Sequence, residues 1–240
     1  SIIHYTDKLE KLQSILKEGF AIKYCTEKLF INEDSGSEAA HPMICFCDIP
    51  LSQSYKHFAA YGRYGIGLSK DWANQQGINP VLYLEKNSLI TNTIGQLLAD
   101  RRETDSKLTL NQKEAILQIK SFAKNYSGEL KRKDVNDPDY RYYDEREWRL
   151  VPAKIKLNGA NFSVTLVKYL KNKDNYNKKI SSLRFSFLPK DISYIIVDKT
   201  EEINNIINLL RIEYSSKCTA QELDILFSKI ASTEQIISDY

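Results

Sequence analysis

Two glutamates and an arginine stand at alternate positions of Tyr142–Pro152, the segment YYDEREWRLVP. This spacing predicts a β-strand, because side chains two residues apart on a strand share one face. Glu145, Glu147 and Arg149 would then lie together, and like charges side by side are unfavourable unless another group neutralises them. Two interpretations are open: an internal network of arginines and carboxylates, or a cleft in which a carboxylate orients a ribose or stabilises an oxocarbenium-like state.

The opening of the chain offers a second group of polar side chains, His4, Tyr5 and Thr6, at the end of a predicted strand. A helix with leucines at helical spacing is predicted to follow, with Thr6 as its N-cap and Gly19 at its end. The imidazole and the hydroxyl groups could bind a ribose or a phosphate. The simpler interpretation is that His4 is a polar residue at a helix start and that Thr6 only caps the helix.

The segment Tyr61–Lys70 combines tyrosine, glycine and basic residues. Glycine lets a ligand approach the backbone, a tyrosine ring can stack on a base or on nicotinamide, and a basic side chain can meet a phosphate. Tyr61, Tyr64 and Ser69 are therefore candidate cofactor contacts, although Ser69 or Asp71 can also cap a short helix. The spacing matches neither a P-loop nor a dinucleotide fingerprint, so a core strand that tolerates glycine is the alternative.

Composition and charge narrow the class of protein. The chain has 240 residues, of which 42% are hydrophobic and 27% charged, which is ordinary for a globular protein with a sizeable core. The net charge of +3 arises from 34 basic and 31 acidic residues. This balance does not favour a nucleic-acid partner, which is kept as the weaker alternative. No apolar run approaches the ~18 residues that span a bilayer, and no charged-then-apolar leader opens the chain. We expect a cytoplasmic protein with no membrane contact.

The four cysteines do not suggest a disulfide framework. Cys45 and Cys47 lie in an apolar run, and His41 and His57 nearby raise the question of a zinc site. The C-x-C spacing differs from the usual zinc knuckle and the residue between the cysteines is apolar. We therefore expect core cysteines and no metal.

Hydrophobic periodicity predicts an α+β fold in one domain, residues 1–240, with a helical insertion at about 87–126. The polar stretches 27–41 and 168–179 are predicted to be loops. The charged stretch 128–140 is predicted to be a linker. Helices are expected at the C-terminal end.

The last third of the chain carries the clearest local signals. Asp191–Val197, DISYIIV, is typical of a buried strand, and isoleucines at helical spacing follow it. Thr219 and Glu222 form the T-x-x-E pattern of a capping box, which predicts the start of a final helix.

Several of these motifs occur in an order that resembles the AbiGi family. They are HYT before an L-x-x-IL-x-x-G helix, MICFCDIPLS, YGRYGIGLSKDWA, NPVLY and YDEREWR, which together run across most of residues 1–152. AbiGi proteins are bacterial abortive-infection proteins that act in phage resistance and are often described as the antitoxin of a two-gene system. The resemblance implies a role in phage defence and a cognate toxin as partner.

The opening IIHYTDKLEKLQSILKEGF is also similar to the start of DarT-type and other ADP-ribosyltransferases. This second resemblance implies a split, curved mixed sheet with C-terminal helices around it, and NAD as a substrate. Position by position it implies ribose contacts from His4 and Thr6, nicotinamide stacking by Tyr64 or Tyr61, and a catalytic carboxylate from Glu147 or Glu145.

Two classes of function are therefore open: an NAD-dependent ADP-ribosyltransferase of phage defence, and a non-catalytic antitoxin that keeps the fold and binds a toxin. Convergence of His4, Tyr64 and Glu147 on an open cleft would favour the enzyme. A closed network in which arginines cross-link both carboxylates would favour the antitoxin.

Overall fold

The computed structural model describes residues 1–132 and 135–239, apart from the side chain of Lys56. The strands are β1 Ile2–Thr6, β2 Phe20–Ala21, β3 Lys23–Phe30, β4 Gly36–Cys47, β5 Tyr64–Leu68, β6 Asn79–Pro80, β7 Leu82–Leu84, β8 Ala123–Asn125, β9 Gly128–Arg132, β10 Val135–Tyr140, β11 Glu147–Leu150, β12 Val164–Thr165, β13 Arg184–Phe185, β14 Ile192–Val197 and β15 Ile230–Ser232. The helices are α1 Leu9–Glu18, α2 Tyr55–Tyr61, α3 Lys70–Gln75, α4 Leu89–Asp100, α5 Leu110–Ser121, α6 Leu166–Lys171, α7 Lys173–Lys179, α8 Ile203–Tyr214, α9 Ala220–Phe227 and α10 Thr233–Asp239. Within these residues no helix is long and apolar enough to cross a membrane.

A mixed sheet organises the molecule, with strand order β15-β14-β5-β1-β4-β11-β6 and with β3 and β12 also paired to β4. Most neighbours run antiparallel, whereas β14 and β15 run parallel. The prediction of an α+β fold with a mixed sheet is therefore confirmed. The central position of β1 places the opening residues of the chain between β5 and β4.

The register of the central strands decides which side chains share a face. Ile3 pairs with Cys47, and Cys47 pairs with Glu147, so these three side chains point to the same side of the sheet. We call this side the α2 face, because Phe58 of α2 packs against it with Ile3. His4 pairs with Ile66 and points to the opposite side. We call that side the α1 face, because α1 and α8 pack there.

The α1 face carries the largest apolar core. Leu12 and Leu16 of α1 pack against strand residues such as Ile2 and Ile66, and α8 adds Ile206. Each of these side chains is 0–2% exposed. This core holds β1, β4 and β5 in a fixed position and so positions the polar side chains that leave the other face.

Close packing at Gly62 brings α2 onto the end of β1. Gly62 ends α2 with φ +109°, in the region that favours glycine, and a Cβ at this position would clash with the Thr6 carbonyl. The side chain of Tyr61 is therefore held near the ends of β1 and β11.

Two predicted irregular regions form β-hairpins instead. Stretch 27–41 covers the end of β3, the turn at 31–35 and the start of β4, and the two strands pair from Lys23↔Met43 to Phe30↔Gly36. Stretch 128–140 contains β9 and β10, which pair with each other, apart from residues 133–134 that lie outside the described part. The loop predictions were wrong because β3, β9 and β10 are partly exposed and carry polar residues, and because β4 buries the polar residues Ser37 and His41.

Other local predictions had mixed outcomes. Stretch 168–179 forms most of α6 and α7 rather than a loop. Thr6 is the last residue of β1, and the N-cap position of α1 belongs to Lys8, so the predicted cap was wrong. The helices expected in 87–126 are confirmed as α4 and α5. The capping box at Thr219 is also confirmed, but the helix that it starts, α9, is not the final one because α10 follows.

Candidate functional site

The YYDEREWR segment turns before it becomes a strand. Tyr142–Glu145 is one turn of 3-10 helix, Arg146 has a left-handed backbone with φ +44°, and β11 begins only at Glu147. The predicted continuous strand was therefore wrong for its first half. Glu147 and Arg149 do share one face, as predicted, whereas Glu145 reaches the same place from the preceding turn.

A chain of alternating charges joins these residues. The Lys124 ammonium lies 2.8 Å from Glu145 Oε2 and 2.9 Å from Glu147 Oε2. Arg149 Nε donates to Glu147 Oε1 at 2.8 Å, and its Nη2 donates to Glu27 Oε2 at 2.8 Å. We call the five residues Glu27, Lys124, Glu145, Glu147 and Arg149 the carboxylate network.

Most of the network is enclosed. Glu145 is 2% exposed, Glu147 is 5% exposed and Arg149 is fully buried. Arg149 Nη1 also donates to the Ser121 carbonyl at 2.7 Å, at the end of α5. Two cations therefore cross-link both carboxylates inside the protein and anchor β11 to α5.

Electrostatics hold the network in its charged form. Burial alone would raise the pKa of Glu147, but the charges of Arg149 and Lys124 outweigh burial and hold that pKa well below its usual range. Burial would lower the pKa of Lys124, but Glu147 and Glu145 raise it well above the ordinary value. Glu147 is thus a carboxylate matched by cations throughout the ordinary pH range.

Aromatic side chains close the remaining side of the network. The Tyr61 hydroxyl donates to Glu145 Oε1, and the Arg132 guanidinium of β9 lies 4.6 Å from the centre of the Tyr61 ring. Burial and the nearby Glu145 charge raise the pKa of Tyr61, so its hydroxyl stays protonated. The Tyr83 hydroxyl accepts from the Glu147 backbone N–H at 2.7 Å. The β9–β10 hairpin therefore covers the carboxylates.

The predicted cofactor contacts divide between the two faces of the sheet. Tyr5 and Tyr61 lie on the α2 face near the network, and the Tyr5 hydroxyl donates to Ser54 Oγ at 2.7 Å. Thr6 pairs with Tyr64, and both residues alternate with Tyr5 and so point to the α1 face. The Tyr64 hydroxyl donates to Glu202 at 2.9 Å.

His4 and Ser69 also lie apart from the carboxylates. The His4 ring packs on the α1 face between Phe20 and Phe46, with Nδ1 2.8 Å from the Cys45 carbonyl. Burial lowers the pKa of His4, which favours the neutral ring. Ser69 caps α3 by accepting from the Trp72 backbone N–H at 3.1 Å. The structure therefore brings together Tyr61, Glu145 and Glu147, but not His4, Thr6, Tyr64 or Ser69.

Three members of the site carry little or no sequence signal. Glu27 stands in KYCTEKLF, whose alternating pattern could have indicated a strand. Lys124 follows α5 directly, and nothing in its surroundings distinguishes it from the other lysines of the chain. The Tyr83 hydroxyl accepts a hydrogen bond from the backbone N–H of Glu147, which lies 64 residues further along the chain.

The cysteines are free thiols, and Cys47 is buried on the α2 face. Burial raises the pKa of Cys47, so this thiol stays protonated. In the described ranges, no group of three or more His, Cys, Asp or Glu side chains is arranged to hold a metal ion.

Comparison with known proteins agrees with the first resemblance. The sequence profile of a family described as "Putative abortive phage resistance protein AbiGi, antitoxin" matches residues 18–198. A Lactococcus lactis subsp. cremoris protein named "Abortive phage resistance protein AbiGi" is 29% identical over 220 residues, covering 83% of this chain and 88% of the relative. No solved structure gives a significant match. The matched region contains the whole carboxylate network.

Proposed function

Because this chain belongs to the AbiGi family of abortive phage resistance proteins, we propose that it is a non-catalytic antitoxin, which binds and neutralises a cognate toxin. The closed carboxylate network is the observation that carries this proposal. Glu145 and Glu147 are buried and already neutralised by Lys124 and Arg149. Their role is then to hold β11 in the fold.

The energetics of such a network support a structural role. A carboxylate that acts on a substrate must reach the reacting atoms, directly or through one water. Here each oxygen of Glu147 accepts from an internal cation, and breaking a buried pair leaves an uncompensated charge at high cost. A ligand would have to replace Lys124 or Arg149 before it could use this carboxylate.

An NAD-dependent ADP-ribosyltransferase of the split-sheet type is the second candidate. The juxtaposition of Tyr61, Glu145 and Glu147 beneath the β9–β10 hairpin favours it. Movement of the hairpin would expose a tyrosine ring beside a carboxylate pair. Glu147 would then orient the ribose as nicotinamide leaves. His4 and Tyr64, on the α1 face, would take no part in this version of the site.

A rescue experiment separates the two candidates. The wild-type chain and its Glu147→Gln variant are each co-expressed with the cognate toxin, and cell growth is measured. An antitoxin requires folding and not carboxylate chemistry, so a Glu147→Gln protein that circular dichroism shows to be folded should restore growth as the wild type does. Asp144→Asn is the matched control, because it removes an exposed carboxylate of the same segment that lies outside the network.

Calorimetry on the wild type tests the enzyme without relying on any variant. Titration with NAD followed by a nicotinamide-release assay should give no saturable heat and no release. Saturable binding, with release that disappears in a folded Glu147→Gln protein, would replace the antitoxin proposal by the enzyme. Failure of the folded wild type to bind or neutralise the toxin would also contradict the antitoxin proposal.

A further inference from the structure

Three cations at one end of the α4–α5 unit have no acidic partner within the described chain. Lys120, in the last turn of α5, is 3% exposed and forms neither an ion pair nor a hydrogen bond with any described residue. The Arg102 side chain, just after α4, donates to Ser37 Oγ at 2.9 Å and to no other described group. Arg101 precedes it, and its buried Nε has no acceptor among the described residues. We call Arg101, Arg102 and Lys120 the cation cluster.

The topology explains how residues so far apart in sequence meet. β7 and β8 are parallel neighbours, so α4 and α5 together form the crossover between them. The end of α4 reaches Ser37 on β4, and the end of α5 reaches Arg149 on β11. The cation cluster therefore lies over β4, on the same face as the carboxylate network.

The two acids whose charges act on Lys120, Glu27 and Glu38, are paired with other cations. Glu27 accepts from Arg149 at 2.8 Å, and Glu38 pairs with Lys28 at 2.7 Å. Asp100 accepts from Gln96 Nε2 at 2.7 Å. The cluster thus keeps a surplus of positive charge, which is buried at Lys120, partly exposed at Arg101 and exposed at Arg102.

The electrostatic effect of this surplus is visible on Lys120. Burial, followed by repulsion from Arg102 and Arg101, lowers the pKa of Lys120 to about 8. His41, fully buried on β4, stays neutral because burial and the charge of Lys120 lower its pKa to about 3. An anion placed among these groups would offset the repulsion between the cations and raise the pKa of both Lys120 and His41.

We propose that Arg101, Arg102 and Lys120, with the Ser37 hydroxyl beside them, form a binding site for the phosphate group of a small ligand. Two guanidinium groups can each offer paired N–H donors to phosphate oxygens, and a lysine adds a point charge. A phosphate carries more charge than a single carboxylate and so matches three cations better. Arg102 is exposed to solvent.

Ligand binding is tested on the full chain with inorganic phosphate, pyrophosphate and ATP, against sodium chloride at equal ionic strength. Phosphate compounds should raise the melting temperature of the wild type in a saturable manner, because a ligand that binds only the folded state stabilises it. Arg101→Gln/Arg102→Gln should weaken binding about tenfold or more, as expected when charged donors are lost. Lys107→Gln is the matched control, because Lys107 is an exposed cation of the same loop.

A Lys120→Met variant provides the second measurement. It removes an unpaired buried charge and keeps the side-chain length, so the ligand-free variant should melt no lower than the wild type. It should also lose the response to phosphate. A rise in melting temperature with pyrophosphate and ATP but not with inorganic phosphate would still support the site. It would indicate that the site binds the phosphate group of a larger ligand.

Three results would overturn the proposal. One is a wild type that shows no saturable response to any of the three probes. Another is an equal loss of binding in Lys107→Gln, which would indicate general attraction of anions to a basic surface. The third is a loss of toxin binding in Arg101→Gln/Arg102→Gln without phosphate binding by the wild type, which would assign the cations to an acidic protein surface.

Discussion

The carboxylate network and the cation cluster lie on the same face of one sheet, yet their charges are matched in opposite ways. In the network, cations and carboxylates alternate at distances of 2.8–2.9 Å. In the cluster, no carboxylate of the described chain is paired with Lys120 or with either arginine. Burial alone therefore does not mark a binding site. A buried charge with internal partners belongs to the fold, whereas a buried charge without them requires a ligand or solvent.

Two lysines only four residues apart make the same comparison within one segment. Lys124 has two carboxylates within ion-pair distance, which raise its pKa well above the ordinary value against the effect of burial. For Lys120, burial and the charges of Arg102 and Arg101 outweigh those of Glu27 and Glu38, and its pKa falls to about 8. Replacing each lysine by methionine should therefore change stability in opposite directions.

The largest expected effect is that of Arg149→Met. This substitution leaves Glu147 and Glu27 without their shared cation in a buried place, so the free energy of unfolding should fall by about 3–5 kcal/mol. Urea denaturation at pH 7 measures it. Arg141→Met is the control, because the Arg141–Asp144 pair is exposed and should contribute almost nothing. Equal effects of the two substitutions would contradict a special role for the network.

Lys120→Met should stabilise the ligand-free protein, by about 3 kcal/mol at most from a pKa lowered from 10.5 to about 8. Below pH 8 the lysine is charged in both the folded and unfolded states, so the full penalty is present. Between pH 8 and 10.5 the folded state releases the proton first, and the penalty is relieved.

The gain in unfolding free energy of Lys120→Met over the wild type should therefore shrink as pH rises through this window. Urea titrations at several pH values measure this difference. The contribution of tyrosine ionisation is the same in both proteins and cancels. Lys124→Met is the control and should destabilise the protein at neutral pH. A difference between Lys120→Met and wild type that is independent of pH would show that Lys120 is ordinarily solvated.

The smallest expected effect is that of Tyr61→Phe, which removes one hydrogen bond to Glu145 and leaves Lys124 in place. The loss in unfolding free energy should be about 1 kcal/mol. Thermal and urea unfolding measure it, with Tyr143→Phe as control because that ring is half exposed. No difference between the two variants would mean that the Tyr61 hydroxyl adds nothing to the network.

Much of the fold could be read from local patterns. The apolar run at Asp191–Val197 became β14, and the T-x-x-E pattern at Thr219 became the capping box of α9. The stretches 27–41 and 128–140 could not be read in this way. β3, β9 and β10 expose polar residues, and β4 buries Ser37 and His41, so these stretches resemble loops until a pairing partner is known.

The candidate site was predictable only in part. The spacing of Glu147 and Arg149 was sufficient to place them on one face, because alternation is a property of any strand. The same spacing placed Glu145 wrongly in that strand, and it gave no indication of Lys124 or Glu27. Those partners come from separate elements and meet through packing.

Residue types and their periods determined which segments of this chain are apolar strands, amphipathic helices and charged turns. Only the tertiary structure decided that His4 and Glu147 point to opposite faces, since this depends on the register of β1 and β11 across β4. Only the tertiary structure also decided which lysine is paired, because the charge around a buried side chain is set by residues distant in sequence.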